Sequence, residues 1–153
     1  NFNQTNSHVI PGLISRMYSA KKENLDSFSV WGTGTPLREF LYVDDLANAI
    51  VHVLENDLNE SLINVGSGIE ISIKELAHLM IKTYNEFSND IYRGKIVTKS
   101  QNDFYGDGYE DIPIRVPDIQ EAKKKLNWEP KYDISQSIKK TITSYLKDEG
   151  YLK

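Results

Sequence analysis

With 153 residues, 18 basic and 22 acidic side chains, a net charge of −4 and no cysteine, the chain has the size and balance of one ordinary globular domain. Its interspersed charges exclude a nucleic-acid footprint or a polybasic membrane patch. The lack of cysteine excludes a disulfide framework and a thiolate metal centre, and 3 scattered histidines make no zinc motif. No apolar run approaches the roughly 18 residues of a membrane span and the first residues do not read as a signal peptide, so no membrane, no nucleic acid, no metal and a cytoplasmic enzyme are expected.

Residues 1–6 are polar and loop-like. Ser7 can cap a helix whose first turn tolerates Pro11, because the missing N–H has no partner there. Ile10, Leu13, Ile14, Met17 and Tyr18 form its buried stripe, with His8 in the first turn and Arg16 off the stripe. Tyr18 and Lys22 fit a Tyr-x-x-x-Lys spacing, but Tyr18 is committed to that stripe. Trp31 closes a short apolar run, Gly32-Thr33-Gly34-Thr35-Pro36 must bend the backbone, and residues 37–43 alternate as a strand with Arg38 at its mouth. Asp44 or Asp45 is the expected N-cap of a buried helix carrying Leu46, Ala49, Ile50, Val53 and Leu54.

Residues 62–65 read as a short strand stopped by Gly66-Ser67-Gly68. Ser72 with Glu75 spells a capping box and Ile71 with Leu76 a hydrophobic staple, on a helix buried through Leu76, Leu79, Met80 and Tyr84. His52 and His78 read as structural or solvated. Residues 95–98 suggest an edge strand. Gly32-x-Gly34 and Gly66-x-Gly68 read as turns, since neither has the preceding strand and closely following helix of a dinucleotide fingerprint. A tyrosine-rich stretch, 103–111, leads to Arg115 and a Pro117-Asp118 helix start with Glu121 placed for a capping box. Ala122 and Leu126 line that helix, Lys123-Lys124-Lys125 make a solvated face, and Trp128 is a packing residue in a turn. The last helix starts at Asp133 with Gln136 placed for a box, carries Ile134, Ile138, Ile142 and Tyr145 as its stripe, and ends at Gly150.

The stretch Val30-Trp31-Gly32-Thr33-Gly34-Thr35-Pro36 with Arg38-Glu39-Phe40-Leu41 and Val43-Asp44-Asp45 resembles the extended short-chain dehydrogenase/reductases that act on nucleotide-diphosphate sugars, the NAD-dependent epimerase/dehydratase family. Within that family the stretch is most similar to the GDP-L-fucose synthases, as are Asn1-Phe2 and Ser7-His8-Val9-Ile10-Pro11. The resemblance implies an α/β chain, the C-terminal substrate-binding part of a Rossmann-type fold. Residues 1–153 would be a single sugar-nucleotide-binding domain. The glycine-rich N-terminal half, which would bind most of the NADP(H), is absent, and that half or a homodimer mate is the implied partner.

By the same resemblance His8 acts as a general acid during epimerisation and touches the cofactor, and Arg16, Trp31 and Arg38 hold a GDP-sugar. The chemistry suits those side chains: imidazole exchanges protons near neutrality, a diphosphate takes planar guanidinium forks, and an indole offers a flat face to base or sugar. From Tyr105 onward the wording is closer to UDP-glucuronate decarboxylases and related sugar-nucleotide dehydratases, in which Arg115 and Tyr109 would line the substrate site. The lysine-containing Pro-Asp-Gly-Thr-Pro-Arg-Lys loop of the fucose synthases is not found. The expected function is therefore part of a GDP-L-fucose synthase-like enzyme, probed against a UDP-sugar decarboxylase or dehydratase, a chimera of the two, and a nucleotide-sugar-binding fragment without turnover.

Overall fold

A computed structural model describes residue 2 and residues 7–56, 62–100 and 112–149. Along the chain run α1 (Val9–Lys22), β1 (Ser27–Trp31), β2 (Leu37–Arg38), α2 (Val43–Glu55), β3 (Ile71–Ser72), α3 (Ile73–Phe87), β4 (Lys95–Lys99), β5 (Ile114–Arg115), α4 (Gln120–Leu126) and α5 (Ile134–Asp148). The stripes read from the sequence meet in one main core. Leu13, Ile14 and Met17 of α1 pack with Phe28 and Val30 of β1, Leu76 and Met80 of α3, and Ile138 and Ile142 of α5. A second, smaller cluster joins Ala49 of α2 to Ala122, Leu126 and Trp128, and Trp128 is fully buried as expected of a packing residue.

Both capping boxes form. The Ser72 hydroxyl accepts the Glu75 N–H at 3.1 Å while the Glu75 carboxylate accepts the Ser72 N–H at 3.1 Å. Asp133 accepts the Gln136 N–H at 2.8 Å, and Gln136 accepts the Asp133 N–H at 3.0 Å. The other helix starts differ from expectation. α1 begins at His8 with no side-chain cap, and α2 begins at Tyr42, also without one. Asp45 is 1% exposed and accepts the N–H groups of Lys131 at 2.9 Å and Tyr132 at 3.1 Å, so it anchors the segment before α5 rather than its own helix. At α4 the expected box is absent. Asp118 accepts the Gln120 N–H at 2.9 Å, and Glu121 pairs with Lys125 at 2.8 Å.

Strand lengths shrink for a related reason: pairing, not alternation, defines a strand. The run 37–43 keeps only β2, because Val43 already belongs to α2. Residues 62–65 join no ladder among the described residues, although Ile63 and Val65 lean on the smaller cluster. α2 is also less buried than its stripe suggested. Only Asp45 and Ala49 are buried, while Leu46, Ile50, Val53 and Leu54 are exposed. Gly150 and the tyrosine-rich stretch 103–111, Tyr109 included, lie outside the described residues.

The strands form two small sheets. β1 runs parallel to β4 with Trp31 opposite Lys99, and the second sheet has the order β3-β2-β5, β2 being antiparallel to β3 and parallel to β5 with Arg38 opposite Arg115. The turn between β1 and β2 uses left-handed backbone at Gly32 (φ 71°) and Gly34 (φ 74°). It is fastened to the start of α3, where the Gly34 carbonyl accepts the Lys74 N–H at 2.9 Å.

Candidate substrate site

In α/β sheets ligands gather at the carboxyl ends of parallel strands. Here β1 and β4 end at Trp31 and Lys99, and β2 and β5 end at Arg38 and Arg115. The first parallel pair therefore closes on an indole and an ammonium group, the second on two arginines. The alternation of β1 buries Phe28 and Val30 and turns Trp31 away from them.

Arg16 reaches β1 from α1. Its Nε donates to the Ser29 carbonyl at 2.9 Å, and its guanidinium lies 5.6 Å from the centre of the Trp31 ring. Gly12, one turn earlier, makes this possible. A Cβ there would stand 2.8 Å from the Ser7 hydroxyl and 3.2 Å from an Arg16 guanidinium nitrogen. His8 is exposed at the N-cap, and spacing by fours places His8, Gly12 and Arg16 on one face of the helix start. At 1.5 Å per residue, His8 and Arg16 are separated by about 12 Å along the axis. That suits a ligand with its anionic part at Arg16 and its reacting part towards His8.

Arg38 is the last residue of β2, the central strand of its sheet. It is 8% exposed, and Nη1 donates to the Leu37 carbonyl at 2.7 Å. Arg115 is exposed beside it. Parallel partners in register share a face at about 4.8 Å between strands, and like charges so placed repel.

Sequence reading missed two contributors. Lys99, the last residue of β4, holds its Nζ 5.8 Å from the centre of the Trp31 ring; it lies one residue past the edge strand expected over 95–98. Glu39, adjacent to Arg38, accepts the Ser67 N–H at 2.5 Å, the Ser67 hydroxyl at 2.9 Å and the Gly68 N–H at 3.3 Å. These partners are nearly thirty positions downstream, beyond any local pattern. A Cβ at Gly66 would lie 2.6 Å from the same carboxylate. The Gly66–Gly68 turn is thus already occupied by an anionic side chain and does not fit a dinucleotide pyrophosphate, which needs those amides itself.

Among the described residues, no group of three or more His, Asp or Glu could hold a metal ion, and no helix is long and apolar enough to cross a membrane. The structure therefore brings Arg16 to Trp31 and Arg38 to Arg115, with His8 on the helix that carries Arg16.

Comparison with known proteins shows what the chain as a whole resembles. Residues 1–66 match the NAD dependent epimerase/dehydratase family. GDP-L-fucose synthase 1 of Arabidopsis thaliana is 36% identical over 151 residues, covering 97% of this chain and 42% of that protein. The GDP-L-fucose synthase of Escherichia coli strain K12 is 32% identical over 158 residues, covering 97% of this chain and 45% of the relative. A solved GDP-L-fucose synthetase from Naegleria fowleri, bound to NADP, superposes with a TM-score of 0.76 at 25% identity, over 99% of this chain and 43% of that one. The chain thus spans less than half the length of the relatives it matches.

Proposed function

We propose that this chain, a homologue along nearly all of its length of part of the GDP-L-fucose synthases in the NAD dependent epimerase/dehydratase family, holds the nucleotide sugar for NADPH-dependent 3,5-epimerisation and 4-reduction of GDP-4-keto-6-deoxy-D-mannose. The observation that carries this reading is Arg16 lying against Trp31 at the carboxyl end of β1. It offers a guanidinium to a diphosphate and an indole to a flat ring in one place. Arg38 and Arg115 add positive charge at the end of the neighbouring parallel pair.

In this reading the C4 ketone of the sugar acidifies the hydrogens on the adjacent carbons. His8 returns a proton to such a carbon from the face opposite the one that lost it, inverting the centre. NADPH, when bound, supplies the hydride for the reduction. The described residues form no cradle for its pyrophosphate, so the reading assigns most of its binding to the additional length present in the relatives, with His8 at the boundary. Residues 1–153 then act as a single substrate-binding domain that does not turn substrate over alone. Either that additional half or a second copy is its partner, and the cytoplasm, where a cysteine-free chain is at home, is its compartment.

Calorimetric titration with GDP-mannose and with UDP-glucuronate tests the reading. Saturable binding of the GDP-sugar is expected, weakened about tenfold or more by Arg16→Ala, which removes a charge-assisted contact. Preference for UDP-glucuronate would move the assignment to sugar-nucleotide decarboxylation, and equal binding by the variant would remove Arg16 from the site. Arg38→Lys is the second variant, because Arg38 is buried and its truncation would disturb the sheet.

A further inference from the structure

We propose that Lys99 is an additional substrate-binding residue, whose ammonium shares the diphosphate of the nucleotide sugar with the Arg16 guanidinium beside Trp31. The inference rests on the function proposed above and specifies which group completes its anion site. Lys99 is fixed by main-chain geometry. It is the register partner of Trp31, and its carbonyl accepts the Gly32 N–H at 2.7 Å, which continues the β1–β4 ladder into the turn.

The side chain is exposed and contributes nothing to the core, yet its Nζ lies 5.8 Å from the same indole that Arg16 approaches at 5.6 Å. Among the described residues Lys99 makes no ion pair with a carboxylate. Two unit positive charges beside one ring repel each other when no ligand is bound. A diphosphate carries negative charge on two neighbouring phosphorus centres, one for each cation, and would offset that repulsion. Carboxyl-end placement on parallel strands is where such a ligand is expected.

The test is titration of wild type, Lys99→Gln, Lys99→Arg and Arg16→Ala with GDP-mannose at several salt concentrations. Lys99→Gln is expected to raise Kd about tenfold and to make binding less salt-dependent, whereas Lys99→Arg retains near-wild-type affinity. If Arg16→Ala weakens binding while Lys99→Gln matches wild type in both Kd and salt response, the role of Lys99 is overturned and the site reading stands. Weaker binding of Lys99→Gln with an unchanged salt response would also overturn it, since a purely structural effect moves affinity alone. Failure of the wild-type chain to bind GDP-mannose at all overturns both.

Discussion

Asp45 shows how a single carboxylate can serve backbone far from its own helix. It accepts two consecutive N–H groups, those of Lys131 and Tyr132, across separations of 86 and 87 residues. Asp45→Ala would remove the acceptor from both partly covered donors and leave a gap where the buried carboxylate stood, at a cost of roughly 1–2 kcal/mol. Asp45→Asn keeps one acceptor oxygen and costs less. Denaturant unfolding at neutral pH checks this, and a loss under about 0.5 kcal/mol for the alanine variant would mean that water replaces the carboxylate.

At the scale of elements, the strongest local devices are the two capping boxes, and one of them has a pH signature. The Ser72 hydroxyl, helped by the Ser72 N–H, holds the Glu75 carboxyl below its ordinary value of 4.5. The folded form thus stays ionised at pH values where the unfolded chain takes up a proton. Its contribution is complete above about pH 4.5 and fades as pH falls through the lower folded value. Melting temperatures of wild type and Glu75→Gln should therefore converge on acidification, because only the wild type loses this contribution. Parallel curves down to pH 3 would show that the box does not discriminate between charge states.

These boxes were legible in the sequence because their partners lie three residues apart, within the reach of a spacing rule. The stripes of α1, α3 and α5 were legible for the same reason. Residues 62–65 and the tail of 37–43 were misjudged as strands because alternation records burial, whereas a strand needs a neighbour the sequence does not name. In the site, the residue types of Arg16, Trp31, Arg38 and Arg115 stood out early. Their pairing did not, since the registers that set Trp31 against Lys99 and Arg38 against Arg115 join distant segments. Glu39 on the Gly66–Gly68 turn was hidden for the same reason.

For the molecule as a whole, the clearest anomaly is α2. Val43 (65% exposed), Leu46, Ile50 (52%), Val53 and Leu54 (80%) recur at helical spacing and face outward. Periodicity had correctly announced an apolar stripe, but not what would cover it. A stripe of this kind on an isolated chain promotes self-association. The chain on its own is expected to sediment as a mixture of associated species and to bind an apolar dye, and an Ile50→Glu/Leu54→Glu variant to run as a monomer with little dye bound. A monomeric, cooperative thermal transition for the wild-type chain would contradict this.

The distance spanned by the Asp45 anchor also has a temporal side. A ribosome adding roughly 5–20 residues per second needs on the order of 4–17 s to make the 86 residues that separate Asp45 from Lys131. For most of that interval α2 has been made while the amides that Asp45 holds do not yet exist. A nascent chain thus carries a half-built junction for seconds, open to chaperones and proteases alike, and a premature stop codon ahead of Lys131 would leave it open permanently.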